Sequence, residues 1–189
     1  DDESISGEKK NWWFGGGFDL TPYYIEKSDC DIWHQAAKNL CDKYEADLYQ
    51  QLKQNCDEYF YLPHRQEARG IGGLFFDDFN LWDKERCLAF IKGVGECYKD
   101  TYLTMSKRLK DKEFGNRERD FQLHRRGRYV EFNLLHDRGT LFGIESGGRT
   151  ESILMSLPPK VSWNYKPSFA PDSPEDKLIA LLKRDPQIK

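Results

Sequence analysis

Gly70-Ile-Gly-Gly-Leu-Phe-Phe-Asp-Asp78 is the stretch on which the fold class turns. A short apolar run between glycines and paired aspartates reads as a strand, and glycine inside a strand marks close backbone approach. Helical periodicity flanks it on both sides. Before it, Ser28 reads as an N-cap with Asp31 three positions on, and Trp33, Ala37, Leu40, Tyr44, Leu48 and Leu52 fall on one face of a helix. After it, Asp83 to Lys110 carries Leu88, Ile91, Val94, Tyr98, Tyr102 and Met105 at the spacing of a second amphipathic helix. From Phe121 the period changes to two: Val130, Phe132 and Leu134 point one way and Tyr129, Glu131 and Asn133 the other, which predicts a strand. Leu141 to Ile144 and Ser152 to Leu157 are predicted as further short strands. Ser173-Pro-Glu-Asp176 opens a last helix, with proline in its first turn and Leu178, Ile179, Leu181 and Leu182 following. Strands in one sheet with long helices between them give an α+β class.

The 189 residues suit one domain, 1–189, and 38% apolar content can fill its core. No apolar run approaches the length of a transmembrane helix. Asp1 to Lys10 is acidic and polar, forms no apolar signal segment and lacks an initial Met, which gives the expectation of a fragment or processed chain. A net charge of −3 selects no class of partner. The cysteines, Cys30, Cys41, Cys56, Cys87 and Cys97, include no CxxC pair, so reduced thiols inside a cell are expected.

Four stretches carry chemistry. Trp12-Trp-Phe-Gly-Gly-Gly-Phe-Asp-Leu-Thr-Pro-Tyr23 offers glycines for backbone approach to a bulky flat ligand, aromatic walls, and one carboxylate, Asp19, that would be desolvated among them. A tight turn with aromatic packing is the plainer reading. No Gly-Lys-Ser/Thr follows, so this is not a phosphate loop. His64, Arg65, Glu67 and Arg69 crowd six residues, either as a surface ion network or as forks for a polyanion. His124-Arg-Arg-Gly-Arg128 leads to an Asp137-Arg138-Gly turn, and Ser146-Gly-Gly-Arg149 sets another arginine in a glycine turn. Arginines on turns suggest convergent anion binding. The basic run from Lys107 to Arg128 equally admits a nucleic-acid or polyanion-binding module. His34, His64, His124 and His136 have no zinc-motif spacing, and no Ser-His-Asp pattern appears.

Together these stretches resemble the oxygen-dependent coproporphyrinogen III oxidase family. The family's Lys-x-Trp-Cys, three aromatic or His residues, then His-Arg-x-Glu-x-Arg-Gly-x-Gly-Gly-x-Phe-Phe-Asp runs over Lys53 to Asp77, with Asn55 in place of the tryptophan. The glycine-aromatic segment at Trp12 to Pro22, Arg125 to Asn133, Asp137 to Thr140 and Glu151 to Pro159 complete the match in order. Two departures stand out. The family's catalytic domain begins upstream, with a histidine proposed as proton donor, so the fold is expected to be incomplete at the N-terminus. The family's Arg-Asp-Trp ending is replaced by Lys183-Arg-Asp-Pro-Gln-Ile-Lys189.

The resemblance implies a flat, mostly antiparallel sheet between two layers of helices, and a homodimer. It implies oxygen-dependent oxidative decarboxylation of two propionates of coproporphyrinogen III to vinyl groups, giving protoporphyrinogen IX in haem biosynthesis. No redox cofactor and no metal are required; molecular oxygen is co-substrate. Carried over by position, Asp19, Arg125 and Asp137 are the catalytic set, Asp19 first as the carboxylate that holds or removes a pyrrole proton. Arg138, Gly147, Gly148 and Arg149 bind substrate, while His64 and Arg65 serve the fold or the dimer contact. The expected location is cytoplasmic, with mitochondrion or plastid as the alternative. Two rival classes stay open at this point: the polyanion-binding module, and a metal-dependent decarboxylase using His34 and His64.

Overall fold

The computed structural model describes residues 11–183; the polar lead Asp1 to Lys10 and the end from Arg184 to Lys189 lie outside the described residues. The fold is built on an antiparallel ribbon. β1 (Phe14–Leu20) pairs with β4 (Gly72–Phe79), setting Gly17 opposite Phe75, Phe18 opposite Leu74 and Asp19 opposite Gly73. The strand predicted at Gly70 to Asp78 is therefore present. Gly73 sits at φ +155°, and a Cβ there would overlap the carbonyl oxygen of Phe18, so the pairing requires glycine.

Phe18, Leu74 and Phe76 of the ribbon are buried against Trp33, Ala37 and Leu40 of α1 (Lys27–Cys41), Leu48 and Leu52 of α2 (Leu48–Tyr59) and Cys87, Phe90 and Val94 of α3 (Lys84–Leu109). The Phe18 and Trp33 rings meet edge-on at 4.2 Å, and Trp33 Nε1 donates to Gly72 O at 3.1 Å. Each such large apolar side chain contributes ~1.5–3 kcal/mol on burial. The single helix expected from Ser28 to Leu52 is instead two, with Glu26 at the N-cap position. A continuous helix of that length would run ~37 Å, past the ~25 Å of an eight-residue strand. The break at residues 42–47 brings the second half back onto β4. α3 begins as predicted, with Asp83 accepting from Arg86 N at 2.8 Å.

β2 (Tyr61–Leu62) and β3 (Glu67–Ala68) form a short hairpin whose tip carries His64 and Arg65, with Gln66 at φ +53°. The α+β class and the antiparallel pairing hold. Among the described residues the sheets are small, each of two strands.

Tyr129 to Leu134 is not the predicted strand but the end of α4 (Asn116–Leu135). Phe121, His124, Arg125, Arg128, Glu131 and Phe132 recur at intervals of three and four, and all are buried. The buried face is charged, so apolar periodicity does not reveal it. Gly127, inside α4, allows residues 162–163 to cross: a Cβ would lie 3.0 Å from Ser162 O and 3.1 Å from Trp163 Nε1. Leu141 to Ile144 lies in α5 (Arg138–Glu145), and Ser152 to Leu154 in α6 (Thr150–Leu154), so neither forms the expected strand. Asp137 commits the first of these to helix, as its carboxylate accepts from Thr140 N at 2.8 Å. α7 (Pro174–Leu182) starts at Ser173 as predicted, and its Leu178 and Leu182 pack with Phe121 in a second small core.

Candidate active site

Alternation along the ribbon puts Gly17, Asp19, Gly73 and Phe75 on the face opposite Phe18, Leu74 and Phe76. Asp19 Oδ2 accepts from Arg69 Nη2 at 2.6 Å. Arg69 is buried, and its guanidinium lies 3.8 Å from the Phe60 ring centroid and 4.9 Å from that of Phe132. Asp19 thus has a buried cation as its partner, and the rings of Phe60 and Phe132 surround that cation rather than the carboxylate.

The same face receives the Asp137-Arg138 turn. Tyr59, the last residue of α2, stacks on Phe75 with centroids 4.1 Å apart, and its hydroxyl donates to Asp137 Oδ1 at 3.0 Å. Arg138 pairs with Asp77 and lies 4.8 Å over the Tyr59 ring. Asp19, Asp137 and Arg138, three of the residues expected from sequence, therefore lie on one ribbon face, Asp19 opposite Gly73 and Arg138 against Asp77 further along β4.

Arg125 lies behind that face. Its side chain is fully buried, with Nη1 donating to Glu67 Oε1 at 2.7 Å and Nη2 to Arg69 O at 3.3 Å. It therefore holds the segment that carries Arg69. Glu67 also accepts from Arg128 Nε at 3.0 Å. Glu131 is the second anion of this network: it accepts from Arg65 at 2.7 and 2.9 Å, His64 at 2.8 Å, Arg128 at 3.0 Å and Trp163 Nε1 at 2.9 Å. Burial pushes the Glu131 carboxyl up, but these donors overcome it and hold it down at about 2. Burial and the charges of Arg128 and Arg125 push His124 down to about 4. His64 and Arg65 thus bind the β2–β3 hairpin to α4. Glu67, Arg69, Tyr59, Glu131 and Trp163 were not singled out as site residues from sequence. Glu67 and Arg69 stood in a quoted motif, but nothing in their spacing names their partners.

Gly147, Gly148 and Arg149 form an exposed turn between α5 and α6. Gly147 sits at φ +71°, Gly148 N donates to Gly143 O at 2.9 Å, and Arg149 Nε donates to Ser152 Oγ at 2.8 Å. None of the contacts described ties this turn to Asp19. His34 and His64 lie in different networks: His34 Nε2 meets Ile71 O at 3.1 Å and Nδ1 meets the Tyr49 hydroxyl at 3.1 Å. Since a carbonyl only accepts, Nε2 carries the proton, and burial pushes this histidine down. Among the described residues, no three His, Cys, Asp or Glu are grouped to hold a metal ion. In the basic run, Arg108, Lys110, Lys112, Arg117, Arg125 and Arg128 all pair with carboxylates, which breaks it up as a continuous cationic face. A groove of about 850 Å³ opens elsewhere, between the Leu20–Ile25 loop and Met105, Leu109 and Phe114, and none of the expected site residues lines it.

The family model described as Coproporphyrinogen III oxidase matches residues 2–187. The chain belongs to that family. It is thereby placed among the oxidoreductases of porphyrin and haem biosynthesis. No helix among the described residues is long and apolar enough to cross a membrane.

Proposed function

We propose that the protein carries out the oxygen-dependent reaction: two propionates of coproporphyrinogen III become vinyl groups, giving protoporphyrinogen IX. For each propionate, one C–H bond on the carbon next to the ring and the C–COO⁻ bond break, which releases carbon dioxide and leaves the vinyl double bond. The two electrons, the proton of that C–H and one proton from solvent convert oxygen to hydrogen peroxide. The reduced macrocycle is itself the electron donor, so oxygen serves as co-substrate and no redox cofactor is called for. The observation that supports this reading is that Asp19, Asp137 and Arg138 share one face of the β1–β4 ribbon.

In this reading Asp19 holds or takes a pyrrole N–H proton, drawing electron density into the ring that oxygen attacks. Asp137 presents a second carboxylate to the macrocycle. Arg138 meets a propionate, exchanging it for Asp77, and Arg149 with Gly147 and Gly148 meets another. Arg125 acts through the Arg69 segment and so positions Asp19. The protein works as a homodimer in the cytoplasm, with mitochondrion or plastid as the alternative. Exposed Phe142 and Met155 on α5 and after α6 support a partner surface. The ion pairs along the basic run favour this reading over a nucleic-acid module.

Asp19→Asn in the intact protein tests it. Turnover is expected to be abolished while a coproporphyrin analogue still binds. A variant keeping more than about a tenth of the rate, a barrier change below ~1.4 kcal/mol, would remove Asp19 from the chemistry.

A further inference from the structure

Asp137 is unusually well oriented. Its Oδ2 accepts both the backbone N–H and the hydroxyl of Thr140, each at 2.8 Å, as the cap of α5. Its Oδ1 accepts from the Tyr59 hydroxyl at 3.0 Å. A carboxylate has about four acceptor positions, so three are occupied and one, on Oδ1, remains for a ligand. The same hydroxyl accepts from Arg138 N at 3.3 Å, and the Arg138 guanidinium lies over the Tyr59 ring. The ring is itself fixed by its parallel stack on Phe75, 9° from coplanar.

We propose that Tyr59 is a positioning residue of the reaction, its hydroxyl selecting the Asp137 acceptor that meets substrate and its ring setting the direction of Arg138. This rests on the reading of Asp137 and Arg138 given above. The two halves of the side chain separate experimentally. Tyr59→Phe keeps the ring, its stack and the arginine above it but removes the donor to Oδ1. Tyr59→Leu removes both.

In the intact protein, Tyr59→Phe is expected to lower kcat by about tenfold or more, the loss of one hydrogen bond to a charged group. KM should stay within about twofold and the thermal midpoint within about 2 °C. Tyr59→Leu should lower kcat and raise KM together. On an Asp137→Asn background, Tyr59→Phe should cost nothing further, because the hydroxyl acts through that carboxylate. A kcat within about twofold of wild type for Tyr59→Phe, full additivity with Asp137→Asn, or loss of folding in Tyr59→Phe overturns the positioning role alone. Unchanged activity in both Asp137→Asn and Arg138→Ala overturns the underlying reading, and this inference with it.

Discussion

Replacing Glu131 by glutamine is the sharpest test of how the ribbon face is held in place. The carboxylate accepts five hydrogen bonds, from Arg65 twice, His64, Arg128 and Trp163, and its side chain is 10% exposed. Glutamine keeps the shape but turns an N–H₂ toward donors and leaves Arg128, itself buried, short of countercharge. Removing one member of a buried ion pair costs on the order of 3–5 kcal/mol. For a chain of this length each kcal/mol lowers the thermal midpoint by ~2–4 °C, so a drop of roughly 6–20 °C is expected. Thermal unfolding followed by circular dichroism reads it, with Glu58→Gln as control, because Glu58 accepts from Gln54 in an exposed contact and should move stability by less than ~0.5 kcal/mol. A Glu131→Gln midpoint within about 2 °C of wild type would show that α4 and the hairpin are not joined through this carboxylate.

Arg138→Ala and Arg149→Ala should each weaken binding of a coproporphyrin analogue by ~1.5–3 kcal/mol; unchanged affinity in both ends the propionate-clamp idea. Gly73→Ala should unfold the ribbon, since its Cβ would overlap Phe18 O, and a variant with wild-type urea midpoint would contradict the register. Acid should destabilise the fold in one direction only. His34 is pushed down by burial and His124 to about 4, while Glu131 and Glu175 are held at about 2. Each binds its proton more readily when unfolded, so stability is complete above ~6.5 for the histidines and ~4.3 for the carboxyls and is lost as pH falls through the folded values. The urea midpoint should therefore decline steadily from pH 7 to pH 3, and a flat profile would argue against these buried groups.

Where apolar periodicity is clear, the sequence is readable: β4, the start of α3 at Asp83 and the start of α7 at Ser173 all stand where they were expected. α4 was hidden for a physical reason. Its inward face carries Arg125, Arg128 and Glu131 in ion pairs, and a charged face leaves the apolar alternation of Val130, Phe132 and Leu134 as the loudest signal. The break between α1 and α2 has no glycine or proline to announce it and follows from wrapping a shared core. At the site, the motifs named Asp19, Asp137 and Arg138. Their partners lie far away in sequence: Arg69 is 50 positions from Asp19, and Tyr59 is 78 from Asp137. Pairings at that distance come from the tertiary fold and not from spacing.

The central claim is that this family member uses oxygen to remove the two propionate carboxyls. Oxygen uptake measured alongside carbon dioxide release, with purified intact protein and coproporphyrinogen III, tests it directly. Two oxygen molecules should be consumed and two carbon dioxide released for each protoporphyrinogen IX, with turnover stopping when oxygen is withdrawn. Sustained formation of protoporphyrinogen IX in a sealed, oxygen-free vessel would contradict it.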